Sequence, residues 1–185
     1  QRQMCIRDRN KSESRKEIVK NKAAKLKVPI IYLNMVGGQD ELVFDGGSFV
    51  VDETGEIIYQ ASQFDEEIFH LDLDLLIKRS ADKSNLELRT KSLELESRVS
   101  APTLTENESI YSALKLGLFD YVTKNSFKKV LIGISGGIDS ALTAAICVDA
   151  LGSENVIGVA MPSKYNSTES LDDAIELSKN LNMEL

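Results

Sequence analysis

One stretch, Ser135-Gly-Gly-Ile-Asp-Ser140, constrains what this chain can fold into more than any other. It comes after an apolar run at 129–134 (KVLIGI) and opens residues 139–151, which read as a helix closed by Gly152. Residues 156–161 (VIGVAM) form a second apolar run, and Ser170 begins another helix, with Asp173 three positions on. Two near-continuously apolar strands separated by one helix imply a parallel βαβ unit with a right-handed crossover. Upstream, Thr105-Glu-Asn-Glu108 is a capping box. It predicts a helix to about Lys124 that buries Ile110, Ala113, Leu114, Leu118, Tyr121 and Val122.

The first half has a different pattern. Residues 11–27 are mostly helix formers with a rough apolar stripe (Ile18, Val19, Ala23, Ala24, Leu26), and Pro29 ends them. Residues 29–34 read as a buried strand and 35–45 (MVGGQDELVFD) as a glycine-bearing loop. The runs 47–51 and 57–60, around Asp52-Glu-Thr-Gly55, predict a β-hairpin. Alternation over 67–75 predicts one more strand, which would hold the single histidine, His70, in a structural role. The charged, serine-rich stretch 77–101 reads as a linker with some helical content. Residues 1–9 (QRQMCIRDR) fit no pattern and are expected to be foreign to the rest of the chain. The chain is also expected to stop inside a helix at Leu185.

Composition narrows the class. An apolar fraction of 42% and a charged fraction of 28% are those of a soluble globular chain. No apolar run approaches the roughly 20 residues that span a bilayer, and the polar, charged start is not a secretory signal. A net charge of -7 argues against a nucleic-acid binder. Cys5 and Cys147 lie far apart and provide no disulfide framework, so a reducing, cytoplasmic setting is expected.

The Ser135–Ser140 stretch carries the chemistry. Gly136 and Gly137 permit backbone angles closed to other residues, so successive amides can point one way and form an anion nest. The helix after it adds its unpaired amides and partial positive charge. The hydroxyls of Ser135 and Ser140 can donate to phosphate oxygens. Asp139 suits a Mg²⁺ bound between carboxylate and phosphates, or serves only the helix dipole. There is no Gly-Lys-Ser/Thr after the glycines, so this is not a Walker A loop. The bland alternative is a serine–glycine turn that caps a helix.

SGGxDS at a strand–helix junction resembles the PP-loop of the N-type ATP pyrophosphatases, which implies cleavage of ATP between its α- and β-phosphates. Two further stretches, Met161-Pro-Ser-Lys-Tyr-Asn-Ser167 with Ser170-Leu-Asp-Asp-Ala174, and Val36-Gly-Gly-Gln-Asp-Glu-Leu-Val-Phe-Asp-Gly46, are similar to segments of the glutamine-dependent NAD synthetases. The resemblance implies an α/β chain. The C-terminal end of a nitrilase-like αββα glutamine amidohydrolase domain (10–76) and a linker (77–101) would precede the start of a doubly wound parallel-sheet synthetase domain (102–185).

It further implies that Gly133, Ile134, Ser135, Gly136, Gly137, Ile138, Asp139 and Ser140, with Met161, bind ATP, and that Asp139 holds Mg²⁺. Ser163, Lys164 and Ser167 would face the nucleotide; Lys11 and Arg15, four residues on, match the family's pattern, in which the lysine, here Lys11, would hold glutamine. Nicotinic acid adenine dinucleotide, ATP and glutamine or ammonia are the implied partners, in a homo-oligomer. The amidohydrolase Cys–Glu–Lys triad has no counterpart here, so no catalytic residue is assigned. In the family's pattern Cys5 would lie too close to Lys11 to be the nucleophile, and Cys147 reads as core packing. The expectation is thus a partial, inactive piece of an amide-forming ligase. Another PP-loop ligase, such as GMP synthetase or an asparagine synthetase, or a non-catalytic nucleotide-binding fragment, are the alternatives.

Overall fold

A computed structural model describes residues 11–72, 101–161 and 168–185. The chain divides into two compact units, Gln1–Gly37 with Leu42–Ser109, and Gly38–Glu41 with Ile110–Leu185.

In the first unit, helix α1 (Lys11–Leu26) precedes a three-stranded sheet in the order β1 (Ile30–Tyr32), β4 (Phe49–Val51), β5 (Ile57–Gln60). Both strand pairs are antiparallel, with Ile30 opposite Val51 and Tyr32 opposite Phe49. The central strand is apolar at every position because both of its faces are covered. Phe49 and Val51 pack under Val19 and Ala23 of α1. Val50 turns the other way, onto Ile58, Tyr59 and Ala61. The expected hairpin is formed: the Asp52 carboxylate accepts hydrogen bonds from the Thr54 amide (2.8 Å), the Thr54 hydroxyl (2.6 Å) and the Glu56 amide (3.0 Å).

Two expectations for this half are corrected. Residues 35–45 are not simply a loop: β2 (Val36–Gln39) and β3 (Leu42–Asp45) pair as a hairpin. Its two-residue turn is allowed by Asp40 at φ 52°. The glycines that read as loop-forming are held as strand by pairing with β3. Residues 67–72 form no strand. The alternation that signalled one is real, since Phe69 and Leu71 pack on the sheet, but the segment is tied by side chains. The Glu67 carboxylate accepts hydrogen bonds from the Tyr59 hydroxyl and the Ser62 amide. His70 is exposed and outside any strand, so it fills no core position. Residues 73–100, including the expected linker, and residues 1–10, including Cys5, lie outside the described residues.

The second unit is built around parallel strands β6 (Val130–Ile134) and β7 (Val156–Ala160), in register from Val130–Val156 to Ile134–Ala160. Helix α3 (Ile138–Leu151) and a 3-10 turn (Ser153–Asn155) connect them, so the expected βαβ unit is present. Its core is Ile134, Ala144, Cys147, Val156, Ala174 and Met183. Cys147 is core, as expected, and burial pushes its thiol pKa up. Gly38, at the tip of the β2–β3 hairpin, groups with this unit. Its amide donates to the Asp120 carboxylate (2.5 Å) and its carbonyl accepts from the Lys124 ammonium (2.6 Å).

Helix α2 (Glu106–Lys124) starts at the capping box. The Thr105 amide donates to the Glu108 carboxylate (2.8 Å), and the Glu108 amide donates to the Thr105 hydroxyl (3.4 Å). Ala113 and Val122 are buried as expected, whereas Leu114 (41% exposed) and Tyr121 (58%) are not. Helix α4 (Thr168–Asn180) begins two residues before the position read from Ser170 and ends before the chain does. Asn182 at φ 52° comes after its last turn, and Glu184 bridges to Ile157 in parallel. The expectation of a helix through Leu185 is therefore corrected.

Candidate functional site

The loop between β6 and α3 stands at the carboxyl end of the parallel pair, where open α/β sheets bind their ligands. Its serines shape it from within. The Ser135 hydroxyl accepts from the Gly137 amide (3.3 Å) and lies 3.1 Å from the Ser140 hydroxyl. The Ser140 hydroxyl accepts from the Ser135 amide (3.3 Å) and donates to the Gly137 carbonyl (2.9 Å). Gly137 is the N-cap of α3, with no side-chain cap. The amides of its first turn, Ile138 to Ser140, precede the first intrahelical bond, which the Ala141 amide donates to the Gly137 carbonyl (3.1 Å). Amides left without an intrahelical acceptor at a helix N-terminus, beside paired glycines, are an arrangement that can take an anion.

The two glycines differ in what they tolerate. Gly136 sits at φ +78°, and a Cβ there would lie 2.4 Å from the Ser170 carbonyl oxygen. Gly137 sits at φ -88°, and a Cβ there would meet only the Ser135 hydroxyl, at 3.4 Å. The start of α4 is therefore seated directly on the loop through backbone, a contact with no signal in the composition of either segment.

Of the residues singled out from sequence, Gly133 through Ser140 are brought together here, and Met161 joins them. The methyl of Met161 lies where a Cβ on Gly133 would reach it at 3.0 Å. Met161 is otherwise exposed at the end of β7. Asp139 is exposed on the first turn of α3. Among the described residues no group of three or more His, Cys, Asp and Glu could hold a metal by itself. A lone carboxylate on the first turn of a helix could hold Mg²⁺ only together with phosphate oxygens and water. Ser163, Lys164 and Ser167 lie outside the described residues.

In the first unit, Lys11 opens α1 and Arg15 comes one turn later. The Arg15 guanidinium donates to both oxygens of Asp45, at 3.2 and 2.6 Å. The Asn34 side-chain nitrogen Nδ2 donates to the same carboxylate (2.9 Å) and to the Gly46 carbonyl (2.7 Å). Sequence reading noted Arg15 but missed Asp45 and Asn34. The available signal was an acid directly ahead of Gly46-Gly47, both of which take positive φ. A cavity of about 440 Å³ lies next to this node, lined by Asn34, Ser48, Ser62 and Phe69 among others.

Comparison with known proteins agrees with both halves. The carbon-nitrogen hydrolase family profile matches residues 6–79, and the NAD synthase profile matches residues 110–185. Glutamine-dependent NAD(+) synthetase of Thermotoga maritima is 48% identical over 92% of this chain and 32% of its own length. That of a Synechocystis strain is 44% identical over 91% and 28%. The structure of the Acinetobacter baumannii glutamine-dependent NAD+ synthetase in complex with ADP superimposes with a TM-score of 0.78 at 38% identity, covering 95% of this chain and 30% of that one. A synthetase from Cytophaga hutchinsonii, 15% identical, shares the fold with a TM-score of 0.68. The chain spans about a third of the length of the relatives it matches. Residues 6–79 thus match the carbon-nitrogen hydrolase family and residues 110–185 the NAD synthase family, and over nearly all its residues the chain is similar to glutamine-dependent NAD synthetases.

Proposed function

We propose that the protein containing this chain makes NAD by amidating nicotinic acid adenine dinucleotide with ATP and nitrogen from glutamine. The observation that carries this reading is the serine-laced Ser135–Ser140 loop at the end of β6, with the amides of α3 beyond it and Met161 across from Gly133. In the proposed reaction the nicotinate carboxylate attacks the α-phosphorus of ATP and pyrophosphate departs. Ammonia then attacks the adenylated carbonyl, and AMP leaves. The loop amides and the hydroxyls of Ser135 and Ser140 hold the departing pyrophosphate, stabilising charge as it develops. Gly133 and Met161 border the adenosine, and Asp139 would hold Mg²⁺, which supplies electrostatic neutralisation of the phosphates. Lys11 belongs to the glutamine site.

The domain reading accompanies it: a glutaminase segment over 10–76, a linker over 77–101 and a synthetase segment over 102–185. Cytoplasmic location, homo-oligomeric assembly and inactivity of this chain in isolation complete the proposal. The test is pyrophosphate release by the full-length protein with ATP and Mg²⁺. Release with nicotinic acid adenine dinucleotide, but not with xanthosine monophosphate or aspartate, is expected. Release with either of the others would refute the acceptor.

A further inference from the structure

Helix α1 is anchored by two unlike devices. Its second half is held by Val19 and Ala23, buried on Phe49 and Val51. Its first seven residues, KSESRKE, contain no apolar side chain, so nothing hydrophobic fixes the first turn against fraying. Polar contacts do that instead. Arg15 grips both oxygens of Asp45, and the two side chains are only 16% and 21% exposed.

Asp45 is in turn fixed from several directions. Its Oδ1 accepts from the Asn34 side chain (2.9 Å) and its carbonyl accepts from the Phe64 amide (3.0 Å). Asn34 is clipped at its backbone by Ser48, whose hydroxyl accepts from the Asn34 amide (2.9 Å) and donates to its carbonyl (3.3 Å). A bidentate, mostly buried pair to a carboxylate held this firmly is a geometric clamp rather than a mobile surface ion pair.

We propose that Arg15 is a positioning residue for glutamine binding: through Asp45 it fixes the first turn of α1 and hence the backbone position of Lys11, one turn earlier. This rests on the reading of Lys11 as part of the glutamine site. The pairing also explains the choice of arginine, because a lysine cannot span two carboxylate oxygens in one plane.

The test is steady-state kinetics of the full-length protein with glutamine or ammonium as nitrogen donor, with urea unfolding on the same samples. Arg15→Met and Asp45→Asn are expected to raise the glutamine KM about tenfold or more, the scale for losing a residue that orients a ligand-binding group. They should leave the ammonium-driven rate within about twofold. The charge swap, Arg15→Asp with Asp45→Arg, should recover part of the lost glutamine KM. Lys11→Ala is measured alongside. If it raises the glutamine KM while Arg15→Met lowers only the urea midpoint, the clamp is merely structural and the proposal is overturned, with the glutamine-site reading intact. If Lys11→Ala leaves the glutamine KM unchanged, that reading itself fails. Equal loss of glutamine- and ammonium-driven rates in Arg15→Met would also overturn the proposal, because the effect would not be specific to glutamine.

Discussion

Replacing Gly136 and Gly137 by alanine, one at a time, should destabilise to very different extents although both belong to the same loop. At Gly136 two costs combine. An L-residue at φ +78° loses about 1–2 kcal/mol against its preferred backbone regions. The new methyl would also stand 2.4 Å from the Ser170 carbonyl oxygen and 2.9 Å from its Cα, where ordinary contact begins at 3.4 Å. Both atoms are backbone, so no rotamer relieves the clash, and the start of α4 must move by about 1 Å.

Together these put the destabilisation at roughly 2–4 kcal/mol. A 1 Å displacement beside the loop should also lower pyrophosphate release by about 100-fold. At Gly137 the backbone is already in an ordinary region and the nearest atom is a side-chain hydroxyl at 3.4 Å. Only the preference for glycine over alanine at an N-cap is lost, costing about 1 kcal/mol or less. Urea unfolding followed by circular dichroism measures stability in both variants, and pyrophosphate release in the full-length protein measures the site. Equal destabilisation by the two substitutions, or a wild-type midpoint for Gly136→Ala, would refute the claim that Ser170 makes Gly136 obligatory.

Other perturbations test the packing and the polar ties. Val156→Ala removes a side chain with no exposed surface from the second unit's core and should cost about 2 kcal/mol in urea unfolding. Thr105→Ala removes the hydroxyl that accepts the Glu108 amide and should lower the helicity of the α2 start by circular dichroism. The Tyr59 hydroxyl and the Ser62 amide hold the Glu67 carboxyl below its usual 4.5. A lowered folded pKa gives stability that is present above about 4.5 and lost as pH falls through the folded value. Glu67→Gln should flatten the pH dependence of unfolding in that acid range, and an unchanged slope would mean the contact does not couple to folding. Adding EDTA to the full-length protein should abolish pyrophosphate release, with recovery on excess Mg²⁺.

Much of this was legible because it depends on local rules. The capping box at Thr105 and Glu108 acts over three residues, and both of its hydrogen bonds are present. The β4–β5 hairpin comes from an aspartate and a glycine at a turn. The strand–loop–helix at Ser135–Ser140 comes from apolar runs on either side of paired glycines. The errors came where a local signal had a different tertiary meaning. Alternation at 67–72 reflects packing of Phe69 and Leu71 without ladder pairing. Glycines at 37 and 38 looked like loop and are strand. Leu114 and Tyr121 fit a helical stripe yet stay exposed, while Ala113 and Val122 of the same stripe are buried.

By itself, the order of residues determined the βαβ unit and the paired-glycine loop ahead of α3, since each is set by apolar patterning and by backbone conformations open only to certain residues over a few positions. Only the tertiary structure decided which glycine must be glycine, because the Ser170 backbone reaches Gly136 through the fold and not through any local pattern. It likewise decided that Arg15 meets Asp45, thirty residues away. Such pairings depend on where whole elements come to rest against one another, and no periodicity or motif within either element encodes that distance.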